Sequence, residues 1–133
     1  MVEVWFYEKP GCINNTKQKK LLMQSGHKVI SHNLLEVDWD VISLRMFFGD
    51  LAVSQWFNRS SPSIKDGWID PETLDETQAI NLMIAEPILI RRPLMRVGNA
   101  CMVGFDFDCV DKWIGLVNAE KEDDLETCTQ QSR

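Results

Sequence analysis

One cysteine in a tight polar turn is the first place in this sequence where chemistry could happen. The run Val2-Glu3-Val4-Trp5-Phe6-Tyr7 leads into Glu8-Lys9-Pro10-Gly11-Cys12, and Ile13-Asn14-Asn15-Thr16-Lys17-Gln18 follows. The first run is rich in β-formers, Pro-Gly marks a turn, and the polar segment opens a helix. A thiol ahead of a helix start faces unpaired backbone N–H groups and the positive end of the helix dipole. Both favour the thiolate, the nucleophilic form. Cys12 is therefore expected to be the most reactive thiol, with a pKa below that of free cysteine. Lys9, Lys17, Lys19 and Lys20 cluster around it in sequence. They read either as a solvated helix face or as a local field for a thiolate or anion.

The remaining candidates are sparser. Cys101, Cys109 and Cys128 complete a set of four cysteines, none in C-x-x-C spacing, and His27 and His32 lie far from any cysteine pair. No metal site is expected from this pattern. Cys101 and Cys109 read as small core fillers, and Cys128 as incidental to a tail. A net charge of −6 argues against nonspecific binding of DNA. No apolar run approaches the roughly 20 residues of a membrane span. The N-terminus has no basic stretch followed by a long apolar core, so a cytoplasmic protein is expected. In that compartment structural disulfides are not expected.

These residues need a frame. A length of 133 residues with 44% apolar content suits one domain with one core. The first strand spans 2–7. A helix starts near Asn15, with Asn15 and Gln18 as a capping box, and stops at Gly26. His27 to Leu34 gives a second strand, parallel to the first because a helix crosses between them. Asp38 or Asp40 caps a helix carrying Val41, Leu44, Phe47 and Phe48. Leu51 to Phe57 is a short helical piece, and 58–70 is a loop by composition. A further helix starts at Asp70-Pro71 or at the box Thr73–Glu76 and ends before Pro87. Ile88 to Val97, the turn Gly98-Asn99 and Cys101 to Phe105 form an antiparallel hairpin. Asp106 or Asp108 caps the last helix. The order βαβ, helical insert, ββα predicts an α/β fold: a thioredoxin-like mixed four-stranded sheet with helices on both faces. One domain spans 1–118, with the insert at about 38–86, and 119–133 is an acidic tail expected to be flexible. Of the five tryptophans, Trp5 and Trp113 lie on elements expected to pack together, and Trp39, Trp56 and Trp68 near helix starts or loops.

Three strings carry a family resemblance: Pro10-Gly11-Cys12, Pro87-Ile88-Leu89-Ile90-Arg91-Arg92-Pro93, and Gly104-Phe105. Together they resemble the arsenate reductase (ArsC) and Spx family over about residues 2–117. The forms around Cys12, Trp56-Phe57-Asn58-Arg59 and Arg91 to Gly98 are similar to its nitrogenase-associated branch. The resemblance implies that Cys12 is the attacking thiol, that Arg59 and Arg92 bind an anion, and that Pro93 is a cis-proline abutting the thiol. Lys9 and Asn15 would support that site. Arg is suited to the role because its forked donors match an oxyanion. The reductases carry a third arginine near the end of the hairpin, and Met102-Val103-Gly104-Phe105 supplies none; Arg96 lies before the turn. Weak or absent arsenate reduction follows. Spx-type regulators carry Cys-x-x-Cys, whereas position 15 is Asn, so no dithiol switch forms within this turn.

The function so implied is a thiol-based oxidoreductase associated with nitrogen fixation. It would use no bound cofactor and take glutathione or glutaredoxin as reductant. A glutaredoxin or a nitrogenase-related protein would be its partner, and the chain would be a monomer. A noncatalytic binding or regulatory module on the same fold is the alternative.

Overall fold

The computed structural model describes residues 2–117, and the acidic tail 119–133 lies outside them. In β1 (Glu3–Glu8) the side chains of Val4 and Phe6 are buried on one face of the sheet, and Tyr7 on the other. α1 (Ile13–Gln24) crosses to β2 (Lys28–Asn33), which pairs parallel with β1 from Glu3↔Lys28 to Glu8↔Asn33. β3 (Leu94–Val97) pairs antiparallel with β1, and β4 (Ala100–Val103) antiparallel with β3. The strand order is β2-β1-β3-β4, a mixed four-stranded sheet of the expected kind.

Each face has its own core. Val4, Phe6, Leu21, Leu22, Met95, Phe105 and Val110 pack where α1 and α5 (Phe107–Ile114) cover the sheet. On the other face Tyr7 and Leu94 meet Leu44, Phe48, Trp56, Ile80 and Met83 of the insert, and Leu89 just after it. The insert holds α2 (Val41–Arg45), α3 (Pro62–Lys65) and α4 (Glu76–Ala85), joined by short 3-10 turns. α2 starts at Asp40, whose carboxylate accepts from Ser43 N–H at 2.8 Å. That bond to the ionised form holds the Asp40 pKa below the usual carboxylate value.

Several local expectations are corrected. α1 begins at Ile13, two residues before Asn15, with Cys12 as its N-cap. The capping box of α4 is Asp75–Gln78, not Thr73–Glu76. Pro71–Thr73 forms a separate 3-10 turn, and the extended backbone at Leu74 stops it from continuing into the helix. Within 51–57 only Val53–Gln55 is helical, and the loop 58–70 contains α3, opened by Pro62 at its first position. The run before the hairpin is not one strand: Pro87–Leu89 is a 3-10 turn, and regular pairing starts only after Pro93. Proline has no N–H to give a ladder. The elements that carry Trp5 and Trp113 pack together as expected, through Val4 and Phe6 of β1 and Val110 of α5. Trp5 itself lies on the opposite face from Val4 and Phe6, 39% exposed and 5.0 Å from the His32 ring, while Trp113 packs with the α1/α5 core.

Candidate thiol site

Lys9-Pro10-Gly11-Cys12 closes as a β-turn. Cys12 N–H donates to Lys9 O at 3.1 Å, and Gly11 takes φ +87°. Pro in the second position and a positive-φ Gly in the third are the signature of type II. Asn15 locks the turn from the helix side: its Oδ1 accepts from Lys9 N–H at 3.2 Å, and its Nδ2 donates to Gln18 Oε1 at 2.9 Å. Asn15 and Gln18 are both fully buried. The Asn15–Gln18 pair thus ties the turn to the helix rather than capping it, which is why the helix can start at Cys12. Gln18 Nε2 is left buried without a hydrogen-bond partner.

Cys12 is itself buried, and its side chain makes no capping bond. Its carbonyl accepts from Thr16 N–H and Thr16 Oγ1, each at 3.1 Å. The sulfur therefore lies at the start of a 12-residue helix without serving its backbone. Contrary to the expectation of a chain without disulfides, Cys12 is disulfide-bonded, whereas Cys101 and Cys109 are free. A thiol favoured as thiolate by a helix start is also the one that enters thiol–disulfide exchange most readily.

Pro93 comes to the same end of the sheet. Leu94 pairs with Tyr7, so one further residue sets Pro93 across from Glu8, where β1 enters the turn. The Arg92–Pro93 peptide is cis, as expected. Gly104 N–H donates to Pro93 O at 2.8 Å and takes φ +81°, a conformation that any side chain at 104 would strain. The insert holds the preceding residues: Phe57 bridges Ile90, and Arg91 N–H donates to Trp56 O at 3.0 Å.

Arg92, between that bridge and Pro93, is the electrostatic anomaly. Burial pulls its pKa below the usual guanidinium value. Its Nε is buried with no hydrogen-bond partner, and among the described residues no ion pair involves it. Arg59 is placed differently. It is exposed, donates to Ser54 O at 2.9 Å and pairs with Glu72 at 3.1 Å. Asn58, its neighbour, is tied inward to the Ile88 and Leu89 carbonyls. Arg96 donates to Gly98 O at 2.7 Å and so reaches toward the hairpin turn.

The lysine cluster divides. Lys19 pairs with the largely buried Glu8 at 2.7 Å, while Lys17 and Lys20 are exposed. Sequence reasoning missed Glu8 and Gln18 as site neighbours. Alternation along β1 puts Glu8 on the α1 face with Phe6, and Gln18 follows Asn15 by three residues on the buried side of α1. Cys101 packs against the insert core, and burial raises its thiol pKa against the opposing field of Arg96. Cys109, expected in the core, is exposed, because it lies on the outer side of α5. Cys128 lies outside the described residues. Among those described, no cluster of His, Cys, Asp and Glu could hold a metal ion.

A model of the ArsC family matches residues 7–113, from the end of β1 to the last turn of α5. The chain belongs to the ArsC family. This ArsC-family protein is 48% identical over 132 residues to the uncharacterized 15.7 kDa protein in the draG 3′ region of Rhodospirillum rubrum, covering 99% of this chain and 92% of that one. An ArsC-family-related protein from Bacteroides fragilis has the same fold, with a TM-score of 0.73 at 24% identity over 83% of this chain and 97% of that one. An arsenate reductase from Vibrio cholerae is similar in fold, with a TM-score of 0.66 at 21% identity over 77% and 90% of the two chains. The fold is thus the thioredoxin-like plan of the ArsC proteins. No helix among the described residues is long and apolar enough to cross a membrane.

Proposed function

We propose that this ArsC-family protein is a thiol oxidoreductase in which reduced Cys12 attacks an oxyanion or a disulfide. The observation that carries the reading is Arg92: a half-buried arginine whose buried Nε has no partner, at the sheet end where Cys12 opens α1. Burying an unpartnered cationic donor is costly, and an anion that accepts from it removes the cost. The N–H groups at the start of α1 supply further donors for the same charge. Asn15, through Lys9 N–H, holds the turn that aims the sulfur. Pro93 fixes the facing wall.

Arg59, released from Glu72, would be the second anion-binding arginine. Glutathione or a glutaredoxin would return the electrons. A role beside nitrogen fixation, with a nitrogenase-related protein as partner, belongs to the same proposal; the relative in the draG 3′ region is itself uncharacterized. A cytoplasmic monomer fits this chemistry.

The test is turnover of arsenate and of a small disulfide with glutathione and glutaredoxin, comparing wild type, Cys12→Ser and Arg92→Met. Weak arsenate turnover is expected, since the hairpin end offers no third arginine. Disulfide turnover abolished by Cys12→Ser supports the reading. Equal activity of wild type and Cys12→Ser overturns it.

A further inference from the structure

We propose that Gln18 is the positioning residue that keeps Cys12 at the start of α1, acting through Asn15 and Lys9. The inference deepens the reading above and rests on it, because the sulfur held in this way is the nucleophile of that reading. A relay of hydrogen bonds runs from Gln18 to the thiol residue. Asn15 Nδ2 donates to Gln18 Oε1 at 2.9 Å, Lys9 N–H donates to Asn15 Oδ1 at 3.2 Å, and Cys12 N–H donates to Lys9 O at 3.1 Å.

The polarity of the relay is fixed from one end. A backbone N–H only donates, so the Asn15 atom that meets Lys9 must be the amide oxygen. That turns Nδ2 toward Gln18, and both side chains are fully buried. A buried N–H needs an acceptor, and Gln18 Oε1 is that acceptor. The other end of the Gln18 amide does nothing of the kind: Nε2 is buried without a partner. A side chain kept for packing alone would do better without that bare donor. The amide at position 18 is accounted for by its oxygen.

The same two residues have a second arrangement open to them. Asn15 and Gln18 have the spacing of a capping box, in which Asn15 is the N-cap and the helix begins at Thr16. In the structure the helix begins at Ile13 and Cys12 is the N-cap. The two starts differ by nearly one helical turn. Only the earlier one brings the sulfur to the unpaired N–H groups that favour its thiolate. Gln18 selects between them. With its oxygen on Asn15 Nδ2, Asn15 reaches back to Lys9 and the turn closes on Cys12. Without that acceptor, the Asn15 side chain turns to cap the helix at its own position, and Cys12 is left in the loop.

The experiment uses the full chain, reduced, as wild type, Gln18→Leu and Gln18→Glu. Leucine removes the acceptor, and a glutamate carboxyl restores one. The readouts are amide hydrogen exchange at Lys9 relative to Val110, which lies in the core that α1 covers, and the pH midpoint of Cys12 alkylation by mass spectrometry. Gln18→Leu should lose protection at Lys9 relative to Val110. It should also raise the Cys12 midpoint toward the free value of about 8.5, the thiolate fraction below the midpoint falling about tenfold for each unit. Lys9, Lys17, Arg92 and the Glu8–Lys19 pair keep their charges in that variant, so the shift reports where the sulfur sits. Gln18→Glu should restore protection at Lys9; its added carboxyl keeps it out of the midpoint comparison. Gln18→Met, closer to glutamine in shape, repeats the test if leucine unfolds the chain.

Unchanged Lys9 exchange or an unchanged Cys12 midpoint in Gln18→Leu shows a packing role only and overturns the inference. Protection lost equally in Gln18→Leu and Gln18→Glu overturns it as well, because the acceptor is then not what matters. Neither readout involves turnover, so these failures leave the oxidoreductase reading intact. Turnover that survives Cys12→Ser overturns that reading and leaves the relay from Gln18 standing.

Discussion

The core beneath the insert and the sheet end that carries Cys12 are both buried, yet they treat polar groups in opposite ways. Under the insert, Phe48 stacks on Trp56 at 4.6 Å, and Arg45 lies over the same indole at 4.8 Å. Each buried indole N–H there has a partner: Trp56 donates to Leu51 O at 2.9 Å and Trp39 to Leu34 O at 3.0 Å. At the sheet end, Gln18 Nε2 and Arg92 Nε have none. His32 Nε2 and Ser61 Oγ are also unpartnered, but neither belongs to a guanidinium, the side chain that stays charged throughout. A cationic donor is the costlier one to leave bare. On the reading proposed above, the difference separates a region that holds itself together from one that would hold an anion.

Substitutions should split along the same line. The largest effect is expected from Trp56→Ala, which opens a cavity and strands the Leu51 carbonyl. It should cost about 3–5 kcal/mol in a urea unfolding curve while leaving alkylation of reduced Cys12 in the folded fraction unchanged. A small loss of stability would break the comparison from the core side. Arg92→Met should do the reverse. Stability should hold or rise, because a half-buried side chain with an unpartnered buried Nε has been replaced by an apolar chain of similar length. Anion protection of reduced Cys12 against alkylation should weaken by about tenfold to a hundredfold, the loss of one charge-assisted hydrogen bond of about 1.5–3 kcal/mol. A large drop in stability instead would mean that Arg92 is a structural residue.

Smaller effects sharpen the picture. Asp75→Ala removes the capping box of α4 and should cost about 0.5–2 kcal/mol, with no change at Cys12. The thiols offer the finest test. In the reduced protein, alkylation followed by mass spectrometry should label Cys12 first, then exposed Cys109, then Cys101. Burial raises the Cys101 pKa, so its labelling rate should keep climbing as pH rises past the range where an ordinary thiol has already ionised. Early labelling of Cys101 would show that the insert does not cover that face of the sheet.

Much of this was legible in local residue patterns. β-Formers before Pro10-Gly11 and a polar run after Cys12 specify strand, turn and helix, because φ limits at proline and glycine act within a few residues. The parallel β1/β2 pair follows from the length of the crossover, and the hairpin from Gly98-Asn99. Helix boundaries were less legible. Asn15 could cap a helix or reach back to Lys9, and the choice depends on how the turn packs against β1.

What the sequence determined by itself is therefore the turn that presents Cys12 and the order of elements. Each depends on interactions between near neighbours. The fate of individual side chains was decided only by tertiary structure. Arg59 and Arg92 are equally basic on paper. Pairing with Glu72 keeps one in solvent, while the Phe57–Ile90 bridge and the sheet register hold the other half-buried at the thiol's end of the sheet. Cys101 is half-buried beside the insert and Cys109 lies outside because strand and helix faces are assigned by packing, not by residue type. Burial and charge pairing depend on residues distant in the chain, and that is why only the assembled fold could choose between them.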